Sequence, residues 1–362
     1  MTSFVTSLLF LERDVLLKKY LWTPIFLWIS IIAILGCNGE KVKAATNPPV
    51  SYNVMPELSS NQINKKVGYF DLKIAPNQKE QIKFKINNND TKKHSYTISI
   101  NRSATDKNGV IIYNKHNVKP DNDLKCNIEK LVTYPKHISL APKTSSEVTV
   151  NVTGPSKRFD GVLLGGIFIM ENNQVSNKTT KKGVTLKNEY SYVLGLQLQN
   201  NEKNIQPDLK FVKASEASEN GQVYVDAKID NDVPKVEQKF NVAAKVTPLN
   251  SKKVILRSEK ENVSMAPDSY FDYPINVNTV TGSKKSNRLR PGKYMVYLNI
   301  KDNGSQNIWR LQRKMTISRA QTRRINKKTP VNNNKKLIIL IIAILVIIAG
   351  LVIWYYRKNR KE

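Results

Sequence analysis

Three histidines are the first candidates for acid–base or metal chemistry, and their spacing argues against both. His94, His116 and His137 lie 22 and 21 residues apart. None stands beside a serine, acid or cysteine at a spacing that a nucleophilic triad or a metal site uses, so they read as surface or edge-strand residues. Of the two cysteines, Cys37 falls in an amino-terminal apolar stretch and Cys126 stands alone in the remainder, which leaves no internal disulfide and one inert thiol. The glycines of Gly161-Val-Leu-Leu-Gly165-Gly166 are not followed by GK[ST] or a helix, so close strand packing explains them better than a phosphate loop. Paired acids for glycan hydrolysis must face each other across a cleft. Asp71, Asp106, Asp121, Asp123 and Glu129 all lie near turns or in polar segments, where solvation is the default. No catalytic residue, metal site or cofactor is assigned, and the chain reads as a non-enzyme.

The elements that carry these residues are strands. Ile82, Phe84 and Ile86 alternate with polar residues, as do Tyr96, Ile98 and Ile100, then Val148, Val150 and Val152, so each segment presents one apolar face. Gly161 to Met170 is a continuous apolar run suited to a central strand, and Tyr190 to Leu198 alternates again. Past the polar join at Asn200–Asp208 the pattern restarts at Val223, Phe240, Tyr273 and Tyr294 and ends at Met315 and Ile317. Asn108-Gly109, Asn231-Asp232, Pro291-Gly292 and Asn303-Gly304 supply reversals between strands. Short strands at this spacing predict an all-β fold of two tandem immunoglobulin-like β-sandwiches, over 46–206 and 207–318.

The 362 residues carry 58 Lys+Arg against 29 Asp+Glu, a formal +29. Hydrophobicity gathers at both ends. Lys18 and Lys19, the apolar run Leu21–Leu35 and Val42-Lys43-Ala44-Ala45 follow the order of an export signal over 1–45, cut after Ala44. Ile34-Leu35-Gly36-Cys37 resembles a lipobox and offers the rival cut before Cys37, although Leu35 is bulky for that role. The long charged stretch before Lys18 fits a true start at Leu17. Leu337 to Tyr356 is 20 residues without a charge. At about 1.5 Å per residue it spans a hydrocarbon core, with Trp354, Tyr355 and Tyr356 as an interfacial belt and a basic tail at 357–362. Residues 317–336 hold seven Lys/Arg against four in the tail, contrary to the positive-inside pattern, but a long exported domain crosses largely regardless of its charge. No LPxTG-like motif precedes the span, so a single-pass membrane protein with its large part outside is expected. Residues 319–336, basic and without apolar period, are expected to be a flexible stalk. Outside a cell the basic surface meets wall and envelope anions, and no nucleic-acid-binding signature accompanies it.

Several segments carry a resemblance. Val54 to Asp90, with GYFDL at Gly68–Leu72, together with Arg102 to Tyr113, FDGVLLGGI at Phe159–Ile167, MAPDSYFDYPI and LRPGKYMVYLNI, resembles the WxL-interacting proteins of Gram-positive bacteria. Asn77 in Pro76-Asn77-Gln78 departs from the commoner glycine. The resemblance covers nearly the whole exported region. It implies a peptidoglycan-binding sandwich followed by a host-binding one, held beside WxL-domain surface proteins.

A basic, aromatic-bearing sandwich binds sugars by stacking rings on aromatic faces and meeting stem carboxylates with cations. Tyr69, Tyr113 and Arg102 are the expected wall contacts, with Gln62 and Asn108 as hydrogen-bond partners. Phe70 should point into the core because it alternates with Tyr69. Lys284, Lys285 and Arg288 mark a second surface, for a protein partner. The other readings are an adhesin for host matrix or plasma proteins acting through the second sandwich, and an exported chaperone with an open edge strand.

Overall fold

The computed structural model describes residues 50–118, 124–172, 189–219, 222–276 and 289–328, with scattered helical positions between 340 and 358. The export signal, with its alternative boundaries at Ala44 and Cys37, lies outside the described residues, as do Lys284, Lys285 and Arg288. Most of the expected span at 337–356 does too. Within it, Leu340, Ile342, Ile344, Ile347, Leu351, Ile353 and Trp354 are helical and exposed. Among the described residues no helix is long and apolar enough to cross a membrane.

The chain is all-β over its described bulk. In the first module the strands are β1 (Tyr52–Glu57), β2 (Phe70–Lys73), β3 (Lys79–Asn88), β4 (His94–Arg102), β5 (Ala104–Thr105), β6 (Ile111–Ile112), β7 (Val132–Thr133), β8 (His137–Leu140), β9 (Ser145–Thr153), β10 (Val162–Asn172) and β11 (Ser191–Gln199). They form one sheet in the order β1-β3-β9-β7, another in the order β2-β11-β10-β4-β8, and the small hairpin β5-β6. The alternating residues of β3, β4 and β9 meet in one buried core with Phe70, Ile167 and Leu196. Each such side chain contributes about 1.5–3 kcal/mol on leaving water. The run at β10 is central, antiparallel to β4 on one side and to β11 on the other.

The second module has β12 (Leu209–Glu219), β13 (Gln222–Asn231), β14 (Glu237–Pro248), β15 (Leu256–Met265), β16 (Ser269–Asn276), β17 (Gly292–Asp302) and β18 (Ile308–Ile317). Sheets β12-β13-β16 and β15-β14-β17-β18 enclose a separate core that includes Val225, Ile229, Phe240, Val242, Val296 and Ile300. Residues 319–328 differ from the stalk expected there. They form the helix α1 (Arg319–Lys328), whose Ile325 is buried in the second core. A reciprocal cap starts it: the Gln321 amide donates to Ser318 Oγ at 3.1 Å and the Ser318 amide donates to Gln321 Oε1 at 3.3 Å.

A seam of direct contacts joins the modules. The buried Thr105 and Ser269 hydroxyls lie 2.8 Å apart, and the Ala266 amide donates to Thr105 Oγ1 at 3.0 Å. Ser269 donates its own proton to the Ala266 carbonyl at 2.7 Å, so Thr105 is the donor in the pair. Arg102 Nη1 donates to the Asp268 carbonyl at 3.2 Å, the Ser264 amide to the Gly109 carbonyl at 2.8 Å and the Val162 amide to the Pro234 carbonyl at 2.8 Å. Gly109 and Gly161 have φ of 64° and 79°, and a Cβ on either would run into Val263 or Pro234. The join at 200–208 is likewise held: Asn200 Nδ2 donates to the Ile74 carbonyl and Asn201 Nδ2 to the Phe159 carbonyl.

Two acids of the second module are pushed above the ordinary carboxylate range by their surroundings. Burial, with Asp302 nearby and against the pull of Lys235, pushes the Glu237 carboxyl up to about 7, and burial with the neighbouring Asp272 pushes Asp226 up to about 6. Buried Glu237 Oε1 has no hydrogen-bond partner. Both groups ionise at lower pH in the unfolded chain than in the folded one, so their contribution falls as pH rises through the window between the two values. Glu237→Gln should therefore leave stability unchanged near pH 4 and raise it at about pH 8 by up to about 3 kcal/mol, read from urea melts of both proteins across that range.

Candidate binding face on the five-stranded sheet

The outer face of the sheet β2-β11-β10-β4-β8 holds a strip without side chains. Gly166 of β10 and Gly195 of β11 are direct partners in the antiparallel register. Each floor position is covered by a tyrosine. A Cβ on Gly166 would lie 2.7 Å from Cβ, Cγ and Cδ1 of Tyr113, and one on Gly195 would lie 3.2 Å from Tyr69 Cβ. Glycine is required here for close approach, as the GVLLGGI segment suggested, but the partner is an aromatic side chain rather than another backbone. Tyr69 is 36% exposed and Phe70, next to it, is wholly buried, in the alternation expected of them.

Both phenols are raised above the ordinary tyrosine value, mainly by burial, Tyr69 also by Asp71 and Tyr113 also by Tyr69. Seated on paired glycines, the two rings are near neighbours, and both stay neutral hydroxyls at ordinary pH. Amides and one acid border them. Asp71 Oδ1 accepts from Gln197 Nε2 and Gln199 Nε2, each at 2.9 Å. Asn101 Nδ2 donates to the Tyr113 carbonyl at 2.7 Å, and Asn101 Oδ1 lies 3.1 Å from His116 Nδ1. Exposed Val193 and half-buried Phe168, paired in register, extend the face on the apolar side. Asp71 and Asn101 are themselves buried and brace this frame, so the groups open to a sugar ring are the Tyr69 and Tyr113 rings and the half-buried Gln197 and Gln199 amides.

The remaining expected contacts have other positions. Gln62 is buried beneath the face. Its Nε2 donates to the Tyr69 carbonyl at 2.7 Å and its Oε1 accepts the Asp71 amide at 3.2 Å, so it fixes the backbone that presents Tyr69. Arg102 is 5% exposed and belongs to the seam through Asp268, which corrects its placement among exposed contacts. Asn108 is exposed in the β5-β6 turn, whose Gly109 docks on Val263 of the second module, so it lies with the seam and not beside Tyr69. Sequence reasoning missed Gly195 and Gln197, and weighed Asp71 only as a hydrolytic acid. A glycine in mid-strand within SYVLGLQLQ was the available signal.

His94 also departs from a simple surface residue. Its Nε2 lies 2.7 Å from Asp90 and its Nδ1 2.6 Å from the buried Glu171, which in turn accepts from Ser51. The serine contacts the acid and not the imidazole, so a nucleophile–base pair is not formed. Half-buried Cys126 packs against the first core, and burial pushes its thiol up, away from reactivity. Among the described residues no group of histidines, cysteines and acids could hold a metal ion.

Fold and face together define a two-module β-sheet binding protein. Residues 52–171 match the WxL Interacting Protein, peptidoglycan binding domain, and residues 181–327 match the WxL Interacting Protein, host binding domain, in that order. The chain belongs to the WxL-interacting protein family. The second match starts before β11, a strand of the first sheet system, and ends within α1. No curated protein matches the sequence. Similar solved structures include the E. coli chaperone DraB, at 13% identity over 72% of this chain and 95% of that one, with a TM-score of 0.27. The CupB2 chaperone of Pseudomonas aeruginosa is 10% identical over 68% and 97%, TM-score 0.27. PapD-like domain 7 of human CEP192 is 11% identical over 46% and 97%, TM-score 0.27.

The glycine floor makes its own prediction. Gly166→Ala should destabilise the protein by about 1–3 kcal/mol because Tyr113 must give way. Gly68→Ala, where the added methyl meets nothing within 4 Å, should stay within about 0.5 kcal/mol. Urea-denaturation midpoints of the two variants check the difference.

Proposed function

We propose that this is a non-enzymatic cell-surface protein that holds peptidoglycan on the outer face of its first module and associates with WxL-domain surface proteins. The observation that carries the reading is the pair Tyr69 and Tyr113 seated on facing glycines Gly195 and Gly166, flanked by Gln197 and Gln199 and braced by the buried Asp71 and Asn101. An aromatic pair with fixed amide neighbours suits a neutral sugar backbone, and the net positive charge of the chain favours an anionic wall. The two modules are read as immunoglobulin-like sandwiches. Membrane anchoring through 337–356 belongs to the same proposal and is supported by the uncharged run and by its exposed apolar helical positions. The family description of the second module favours a further role, binding of a host matrix or plasma protein.

Co-sedimentation of the detergent-solubilised full chain with teichoic-acid-free peptidoglycan tests the reading, at low salt and at about 0.5 M, where exposed charges are screened beyond about 4 Å. Binding should persist at high salt, and the double variant Tyr69→Ala/Tyr113→Ala should weaken it by about tenfold or more. Binding that vanishes with salt, or that ignores the double variant, overturns the assignment of the face.

A further inference from the structure

A cleft lies away from the tyrosine face, where the first module meets the loops of the second. Its volume is about 1070 Å³, at the upper end of the ~300–1,000 Å³ that ligand clefts occupy. Phe159, Leu131, Leu163 and Ile205 give it an apolar floor, and Asn127 and Ser156 add hydrogen-bonding groups.

Its charges are unevenly satisfied. Asp160 is answered by Lys203 at 2.6 Å and by Asn201 at 2.9 Å, and Asp232 is answered by Lys210. The Lys203 ammonium and the Asn201 amide, with a weaker pull from Lys125, hold Asp160 below the usual carboxylate range. The four cations lining the cleft, Lys125, Lys130, Lys157 and Arg158, have no ion pair among the described residues. Folding has neutralised two of the acids here and left the bases open. An unpaired cation costs least where water or an anionic ligand can reach it, and a concave, partly apolar wall strengthens the attraction over that of a flat surface.

From this geometry we infer that the cleft is a second binding site, for a short acidic peptide with small apolar side chains and a free terminal carboxylate. The cations take the carboxylates, Phe159 and its apolar neighbours take methyl-sized side chains, and Asn127 and Ser156 meet the peptide backbone. A bare phosphate polymer would use the cations but leave the floor without a partner. The inference rests on the wall-binding reading for one source of such a peptide, the stem peptides of peptidoglycan. The other source is an acidic segment of a partner protein.

The test uses the full chain in detergent and fluorescence anisotropy of a labelled tetrapeptide, Ala-Glu-Ala-Ala with a free carboxyl terminus. The carboxyl-amidated peptide, a Lys-for-Glu peptide and a polyribitol phosphate are the competitors. The acidic peptide should bind about tenfold or more tightly than its amidated form, and Lys157→Glu/Arg158→Glu should cost another tenfold or more. Both substituted positions are exposed, so the variant retains the fold, and Lys125→Glu provides an independent second reversal. Equal binding to wild type and both reversals, no binding at all, or displacement by the phosphate polymer alone overturns the inference. Sedimentation of the same proteins with peptidoglycan keeps the two readings apart. Retained sedimentation without peptide binding refutes the cleft and leaves the tyrosine face standing, whereas peptide binding without sedimentation assigns the cleft to a protein segment.

Discussion

Two β-modules joined by a polar segment ordinarily swing on it, and here a buried seam forbids the motion. Thr105, Ser269 and Ala266 exchange hydrogen bonds out of contact with water, and Arg102 is spent on the Asp268 carbonyl. Opening the seam would leave several of these groups unpaired during separation, at about 1–3 kcal/mol for each one still buried. The glycines at 109 and 161 let the two surfaces come that close, and no other residue would fit both the positive φ and the contact. The cleft between the modules exists with a fixed shape only because this seam holds.

The same economy of side-chain volume governs the outer face of the first module. Removing the Cβ at Gly166 and Gly195 creates a trough in the middle of a sheet, which would ordinarily weaken the strands by leaving nothing to pack. Tyr113 and Tyr69 replace the missing contacts from outside the sheet, so the rings that shield the strands are also the rings offered to solvent. Structural cover and the proposed sugar platform are thus one feature.

Strict alternation made most of the first module legible, because the apolar residues of β3, β4 and β9 each keep one parity, broken only where Asn101 and Arg102 end β4 both buried. Two of the strands that periodicity does not reveal change parity. In β12 a register shift between Phe211 and Lys213 puts Leu209, Phe211 and Ala214 on one side. In β15 the left-handed Asn262 separates a charged stretch from buried Val263. Helix α1 was hidden by composition: one buried isoleucine among basic residues gives no apolar period, although Ser318 and Gln321 stood at capping-box spacing. At the candidate face, residue type pointed to Tyr69 and Tyr113 but could not separate them from Arg102 and Gln62, since burial depends on strands distant in sequence. The seam and the cleft had no local signature at all.

Helix α1 has a mechanical consequence. It is the last described segment before the apolar run, and among the described side chains Ile325 is the one it buries in the second module, whereas β18 before it is paired with β17 over ten registered positions. A pull applied through the carboxyl end against a wall-bound first module would therefore peel the helix before it disturbed the sheet. Ten helical residues drawn out to strand length release roughly 20 Å of slack. The module would then absorb a displacement of the envelope without losing a strand, and recover it when the load is removed.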